Sequence, residues 1–148
     1  MTDIFYQNSN LDSFKILSDK IFLQTKKLLG EIKTEEELRI GFEKILEPIL
    51  IKLNIKSHPQ YEKSIYNAGR SDALHGRVVI EYEKPFAFRS KKAVEHAYQQ
   101  LVGYIIGLSK SDKETLFIYD SKFIGVGFDG EKIFLFIIKE TIIYQRQN

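Results

Sequence analysis

Three carboxylates stand close together in the stretch GRSDALHGRVVIEYEKP, at Asp72, Glu81 and Glu83, and Lys84 directly follows the third. Carboxylates of this kind hold hard divalent cations such as Mg²⁺, usually one or two of them together with waters and phosphate oxygens. A bound cation lowers the pKa of a coordinated water and stabilises negative charge on a phosphate. The stretch therefore indicates either metal-assisted phosphate chemistry or, with Arg70 between the acids, a structural ion-pair cluster.

A β-hairpin is predicted to bring these acids to one side of a sheet. If His75 and Gly76 form a two-residue loop, Asp72 and Glu81 become diagonal neighbours on one face, and Glu83 shares that face. A loop one residue longer would separate them, because successive residues of a strand point to opposite faces.

Helices are predicted on both sides of the hairpin from apolar residues at helical spacing. The predicted helices cover residues 10–30, 34–54 and 90–109. The first has Asn10 as its expected N-cap and Gly30 at its end. The second opens with Thr34 and Glu37 in capping-box register, and Pro48 is expected to kink or split it.

The remaining segments read as strands, each rich in β-branched and aromatic residues. They cover residues 58–67, the hairpin at 70–84, and then 114–120, 122–129 and 132–140. The predicted order is α-α-β-β-β-α-β-β-β. We therefore expect an α+β fold in α/β/α layers, with a mixed β-sheet flanked by helices, formed by one domain over residues 1–148. Whether this domain is the N-terminal part of a longer protein is left open.

Composition excludes several classes of site. The chain has no cysteine, which removes disulfides, thiolate zinc sites and a cysteine nucleophile, and favours a cytoplasmic protein. No apolar run approaches the roughly 18 residues that a membrane span needs, so no membrane partner is expected. The net charge is +2, yet residues 70–92 hold six basic and three acidic side chains, a local charge of +3. This local excess fits either a nucleic-acid contact or a solvated surface.

The acids resemble the signature of the PD-(D/E)xK nuclease superfamily, the restriction-endonuclease-like fold. In that signature an Asp at a strand start precedes a Glu-x-Lys triplet on the next strand. Here Asp72 would be the first acid, and Glu81, Tyr82 and Glu83 the triplet. The wording GR.D...G.VVIEYE.P also resembles N-terminal nuclease domains of restriction-modification enzymes fused to an adenine DNA methyltransferase.

Two further positions extend the resemblance. Gln100 and Tyr104 are similar to the Gln-x-x-x-Tyr motif of RecB-type nucleases, on the helix after the triplet strand. Glu43 lies on an upstream helix where this superfamily often carries another acidic site residue. The resemblance covers roughly residues 34–119 and implies a restriction-endonuclease-like core.

The resemblance implies a Mg²⁺-dependent (or Mn²⁺-dependent) DNA endonuclease domain, part of a restriction-modification system. Asp72 and Glu81 would hold the metal, Glu83 would complete the metal shell or act as general base, and Gln100 would orient the substrate beside Tyr104. Glu83 stands where the superfamily has lysine, so Lys84 is the alternative source of that function. The expected contacts to nucleic acid are Arg70, Arg77, Arg89, Lys91 and Lys92.

The expected partners are DNA, a methyltransferase or target-recognition domain, and a second copy of the chain in a homodimer. Two other interpretations remain open. One is a catalytically inactive nucleic-acid-binding or scaffolding module on the same fold, since a fold does not fix a function. The other is an unrelated α+β domain in which Arg70, Asp72 and Glu81 form an ordinary ion-pair cluster.

Overall fold

The computed structural model describes residues 3–65, 68–111 and 123–137 of the 148-residue chain. Three α-helices, five strands and one short 3₁₀ helix follow one another in these ranges. Their bounds are α1 Asp3–Leu29, α2 Glu35–Lys52, β1 Gln60–Ile65, β2 Gly69–His75, β3 Val78–Tyr82, the 3₁₀ helix Ala87–Arg89, α3 Lys91–Ser111, β4 Ile124–Phe128 and β5 Ile133–Ile137. The predicted α+β class and order of elements are confirmed, while the strand expected at 114–120 lies outside the described residues.

The strands form one mixed sheet in the order β1-β2-β3-β4-β5. Neighbouring strands are antiparallel except β3 and β4, which run parallel, with Ile80 opposite Val126. Parallel neighbours need a long connection that crosses back along the sheet, and α3 lies within that connection. The sheet is therefore mixed because a helix separates its two halves in sequence.

The loop of the hairpin between β2 and β3 lies one residue later in the chain than predicted. His75 pairs with Val78, so the loop consists of Gly76 and Arg77 rather than His75 and Gly76. Gly76 has φ +60°, a conformation that glycine adopts freely at the first position of a tight hairpin turn. The pairing shifts by two residues, which preserves faces because side chains alternate with period two. Asp72 and Glu81 thus stay on one face, and extending the register one step beyond the Ala73–Ile80 pair sets them opposite each other instead of diagonally.

Apolar side chains fill the space on both faces of the sheet, giving the three predicted layers. One face packs against α3 through a buried cluster comprising Ile65, Leu74, Val79, Leu101, Tyr104, Ile105, Leu108 and Phe123. The other face packs against α1 and α2 through Leu38, Phe42, Ala73, Ile80, Tyr82, Val126 and Phe128. Alternate residues of β3 therefore enter different cores, and the acids of β2 and β3 lie on the α3 side.

The helix boundaries agree with the sequence at some ends and differ at others. α1 begins at Asp3, so Asn10 lies inside the helix and the predicted N-cap is wrong, whereas its end next to Gly30 is confirmed. At the start of α2 the Thr34 hydroxyl accepts from the Glu37 N–H, and the Glu37 carboxylate accepts from the Thr34 N–H, as predicted.

Pro48 does not split α2, which continues to Lys52. Proline removes the hydrogen bond to the carbonyl of Lys44 one turn earlier. Both residues are exposed, so water can bind the freed carbonyl and the helix continues. Within the described residues, the helices lack the combination of length and apolar character that crossing a bilayer requires.

The turn glycine gives a test of the observed loop. Gly76→Ala should lower the free energy of unfolding by about 1–2 kcal/mol, because its φ of +60° penalises a Cβ although no atom lies within 4 Å of that position. Gly103→Ala is the matched control. Gly103 lies inside α3, where alanine is favoured over glycine, and the added Cβ would meet only Ala68, at 3.8 Å, so the free energy of unfolding should rise by about 0.5–1 kcal/mol. Urea unfolding of both variants measures this, and equal effects of the same sign would contradict the turn.

Candidate active site

Asp72 interrupts the backbone hydrogen bonding between β2 and β3 beside the predicted site. Alternation of paired residues along the hairpin would give the Tyr82 N–H to the carbonyl of Ser71. Instead Oδ2 of Asp72 accepts that N–H at 2.7 Å. Burial raises the pKa of Asp72, although the Tyr82 N–H and the charge of Arg39 act against that rise. The side chain therefore replaces a backbone acceptor at the point where the two acid-bearing strands separate.

Glu81 is the most deeply buried acid of this face, with 5% of its surface exposed. Its Oε2 is buried and has no hydrogen-bond partner. Burial, together with the negative charges of Asp72 and Glu35, raises the pKa of Glu81 to about 9. At neutral pH this carboxyl group is therefore protonated unless a cation compensates its charge.

The negative charges of two more carboxylates, Glu35 and Glu83, raise the pKa of Glu81. Glu83 follows β3 and is partly buried, and Glu35 is the first residue of α2. Burial raises the pKa of Glu35, and the charges of Asp72 and Glu83 raise it further. Sequence analysis missed Glu35. Its only signal was an acidic first turn of a helix, which is also the ordinary preference of a helix N-terminus.

Two cations lie among these acids. Arg39 lies one turn after Glu35 on α2, and its charge lowers the pKa of both Glu35 and Asp72. Lys84 is exposed, and its charge also lowers the pKa of Glu35, so this lysine is near enough to act on the acidic group. Arg39 was missed by sequence analysis, although a Glu and an Arg four residues apart on a helix form a recognisable pair.

Glu62 holds Arg39 in this position. The register of β1 and β2 places Glu62 opposite Asp72, and its carboxylate lies 3.3 Å from the Arg39 guanidinium. Glu62 has φ +48°, which is unusual for a residue with a Cβ. Such strained conformations cluster at functional sites.

Gln100 and Tyr104 of α3 reach the same region, as predicted. Tyr104 is buried and donates its hydroxyl to the carbonyl oxygen of Arg70 at 2.8 Å. It also contacts Glu81 closely enough to lower the pKa of that carboxyl slightly against the larger effect of burial. Oε1 of Gln100 is buried without a hydrogen-bond partner. Unsatisfied oxygens on both Glu81 and Gln100 leave this region short of donors.

Glu43 belongs to a different network on the opposite face. Its carboxylate accepts from Tyr82 at 2.8 Å and Tyr61 at 3.3 Å, and lies 2.9 Å from Nε2 of His75. Burial alone would raise the pKa of Glu43, but the hydrogen bonds from His75 and Tyr82 outweigh it and leave the pKa lowered. The α2 acid whose charge acts on Asp72 and Glu81 is Glu35.

Two predicted contacts to nucleic acid lie on the hairpin. Arg70 is largely exposed at the start of β2, with its guanidinium 3.9 Å from Glu62. Arg77 lies in the turn, stacked over the Phe123 ring at 5.1 Å. Four residues of extended strand separate Arg77 from Glu81, roughly 13 Å. Arg70 is therefore close to the acids, whereas Arg77 is at the far end of the hairpin.

The other three basic positions surround the start of α3. Arg89 forms a two-point ion pair with Glu131, at 2.7 and 3.0 Å, and stacks over Phe86. Lys91 and Lys92 are exposed in the first turn of the helix. Cations there oppose the helix dipole, so their charge is directed to solvent or to an anion. One turn later, His96 lies 3.5 Å from the Glu83 carboxylate.

Whether a metal fits depends on donor chemistry and arrangement together. The donors are carboxylates on one face, and Glu81 has a buried oxygen without a partner, as a hard cation would require. In the described ranges, however, no group of three or more Asp, Glu, His or Cys side chains is arranged to hold a metal ion. Because Mg²⁺ needs only one or two carboxylates besides water and phosphate, Asp72 and Glu81 together are a sufficient donor set.

Comparison of the chain with protein-family models, with curated proteins and with solved structures found no match.

The raised pKa of Glu81 predicts a pH dependence of stability. Between pH 4.5 and about 9, Glu81 is protonated in the folded protein but ionised in the unfolded chain. The free energy of unfolding therefore falls as pH rises through this interval. Glu81→Gln should flatten that fall by up to about 1.4 kcal/mol per pH unit. Urea unfolding across this range measures the slope without divalent cations. Glu95→Gln, at an exposed position of α3, should keep the wild-type slope, and an unchanged slope in Glu81→Gln would refute the assignment.

Proposed function

We propose that this chain is a Mg²⁺-dependent DNA endonuclease domain, with Mn²⁺ as an alternative metal, which hydrolyses phosphodiester bonds. The observation that carries the proposal is the buried carboxyl group of Glu81. It has an unpartnered oxygen, faces the charges of Asp72, Glu35 and Glu83, and has a pKa raised to about 9. A folded protein tolerates like charges this close only when a proton or a cation lies among them.

Asp72 and Glu81 are the residues that would hold the metal. The bound cation would supply activation of a water molecule and stabilisation of negative charge on the phosphate. Asp72 would do this while still accepting the Tyr82 N–H, because a carboxylate has about four acceptor positions. The unpartnered Oε1 of Gln100 can accept a hydrogen bond from water or substrate, and Tyr104 fixes α3 to the Arg70 carbonyl.

Lys84 and Glu83 share the function that one lysine has in the resembling superfamily. Lys84 is exposed and its charge reaches Glu35, so it can face a phosphate from the rim of the site. Glu83 is partly buried with His96 beside it, and its carboxylate can accept a hydrogen bond from the attacking water. Hydrolysis in this superfamily breaks the P–O3′ bond, leaving a 5′-phosphate and a 3′-hydroxyl.

DNA would approach along the exposed cations that border the acids. Arg70, Lys91 and Lys92 are exposed at that face, whereas Arg89 is already paired with Glu131. Phosphate contacts of this type give affinity that falls steeply with salt and carries no sequence information. A target-recognition or methyltransferase partner in a restriction-modification system, a cytoplasmic location and a homodimer for double-strand cleavage belong to the same proposal.

A second candidate is a non-catalytic nucleic-acid-binding or scaffolding module. Two observations favour it: the described residues contain no three-ligand metal group, and glutamate stands at the position of the usual lysine. In such a module Glu81 would remain protonated, and Arg70, Lys91 and Lys92 would serve binding alone.

Metal titration tests the proposal directly. Calorimetric titration of Mn²⁺ into the wild type should show binding, and Asp72→Asn and Glu81→Gln should weaken it at least about tenfold, since each removes one of two anionic ligands. Glu95→Gln, with its exposed acid on α3, is the control and should bind as the wild type does. Absence of binding to the wild type at millimolar metal would refute a metal-dependent enzyme.

Plasmid nicking with Mg²⁺ then separates the two candidates. The endonuclease should lose activity at least about a hundredfold in Asp72→Asn and Glu81→Gln and entirely with a chelator. Filter binding of DNA that is unaffected by chelator, by either substitution and by added metal would instead identify the binding module.

A further inference from the structure

A second group of polar side chains lies on the face of the sheet away from the acids. Ser57, in the loop after α2, has its Oγ 2.7 Å from Nδ1 of His75 at the end of β2. On the other side of the ring, Nε2 of His75 lies 2.9 and 3.0 Å from the two carboxylate oxygens of Glu43. A hydroxyl, an imidazole and a carboxylate thus form one continuous hydrogen-bonded series.

The carboxylate fixes which ring nitrogen carries the proton. Three donors converge on Glu43, from His75, Tyr82 and Tyr61, and the hydrogen bonds keep its pKa lowered in spite of burial. An ionised carboxylate only accepts, so Nε2 of His75 must donate. In the neutral ring Nδ1 is then unprotonated and accepts the hydroxyl proton of Ser57. This is the relation between nucleophile, base and orienting acid that activates a serine, with the two ring nitrogens exchanged relative to the usual arrangement.

A cavity of about 730 Å³ opens beside this series, between the second half of α2 and the loop that follows it. Ser57, His75 and Glu43 contribute to its wall. The rest of the wall combines the aliphatic side chains of Ile40, Leu50, Ile51 and Ile55 with charged residues that include Arg39, Lys44, Glu47 and Lys56. The volume lies in the range that binds small molecules, and such pockets combine apolar walls with a few polar groups that fix orientation.

We propose that Ser57 is an activated nucleophile that accepts the acyl group of a small aliphatic carboxylic ester bound in this cavity. Oγ of Ser57 forms a bond to the carbonyl carbon while its proton passes to Nδ1 of His75. The bond from that carbon to the alcohol oxygen then breaks, and the alcohol leaves with the proton from His75. The product is an ester on Ser57, which water can hydrolyse by the same route. The metal and the acids of β2 and β3 have no part in this reaction, so the esterase proposal can be tested independently of nuclease activity.

The test uses p-nitrophenyl butyrate as the ester. The wild type should release p-nitrophenolate in a burst of one equivalent, and intact-mass and peptide analysis should place one butyryl group on Ser57. Ser57→Ala should show neither the burst nor the adduct. Ser64→Ala, at an exposed serine of β1, is the matched control and should react as the wild type does.

Two further variants separate an activated serine from a merely accessible one. His75→Asn removes the base, and Glu43→Gln keeps the shape but lets an amide favour the wrong ring tautomer, so each should slow acylation at least about a hundredfold. Circular dichroism of each variant checks that it is folded. A wild type without the adduct, an adduct on another residue, or acylation of folded His75→Asn at the wild-type rate would overturn the proposal.

Discussion

The hydrogen bond from the Tyr82 N–H to Asp72 connects the acids of β2 and β3 to the polar side chains around Glu43, because Tyr82 contacts both. It takes the place of a ladder bond to a backbone carbonyl, so β2 and β3 separate where their acids stand. The same tyrosine sends its side chain through the other face, where its hydroxyl donates to Glu43 at 2.8 Å. One residue of β3 therefore fixes an acid on each side of the sheet, because its backbone and its side chain point in different directions.

The two buried glutamates differ in whether hydrogen bonds oppose the effect of burial on the pKa of the carboxyl group. Glu43 is 9% exposed and Glu81 is 5% exposed, so their burial is nearly equal. Three donors contact Glu43 and leave its pKa lowered in spite of burial. Glu81 has an unpartnered oxygen, and burial together with the negative charges of Asp72 and Glu35 raises its pKa to about 9. The two carboxyl groups therefore suit different chemical roles, since Glu43 orients a neighbour as an anion and Glu81 needs a proton or a metal.

Side-chain periodicity and the residues that form caps and turns account for the parts of this fold that the sequence predicts well. The α+β class, the start of α2 at Thr34 and the shared face of Asp72 and Glu81 follow from local patterns. The sequence places the hairpin loop one residue too early, which shifts the strand pairing by two residues. The predicted faces are still correct, because side chains of a strand alternate with a period of two. His75, which the sequence predicts in the loop, is instead the last residue of β2, and its Nδ1 lies 2.7 Å from the Ser57 hydroxyl.

The position of a helix along the sheet is what sequence patterns cannot supply, and this explains why Glu35 was missed in favour of Glu43. The two acids are eight residues apart on α2, about 12 Å along the axis but only about 80° around it. Periodicity therefore assigns both to similar sides of the helix, and only tertiary packing decides which end meets Asp72. Packing brings the first turn of α2 close enough to the acids for the charge of Glu35 to raise the pKa of Glu81. The middle of the helix lies beside His75, where Glu43 finds its donors. The separation of the two groups along α2 is thus a consequence of helix length, and it keeps a proton-requiring acid and an ionised one apart within one small domain.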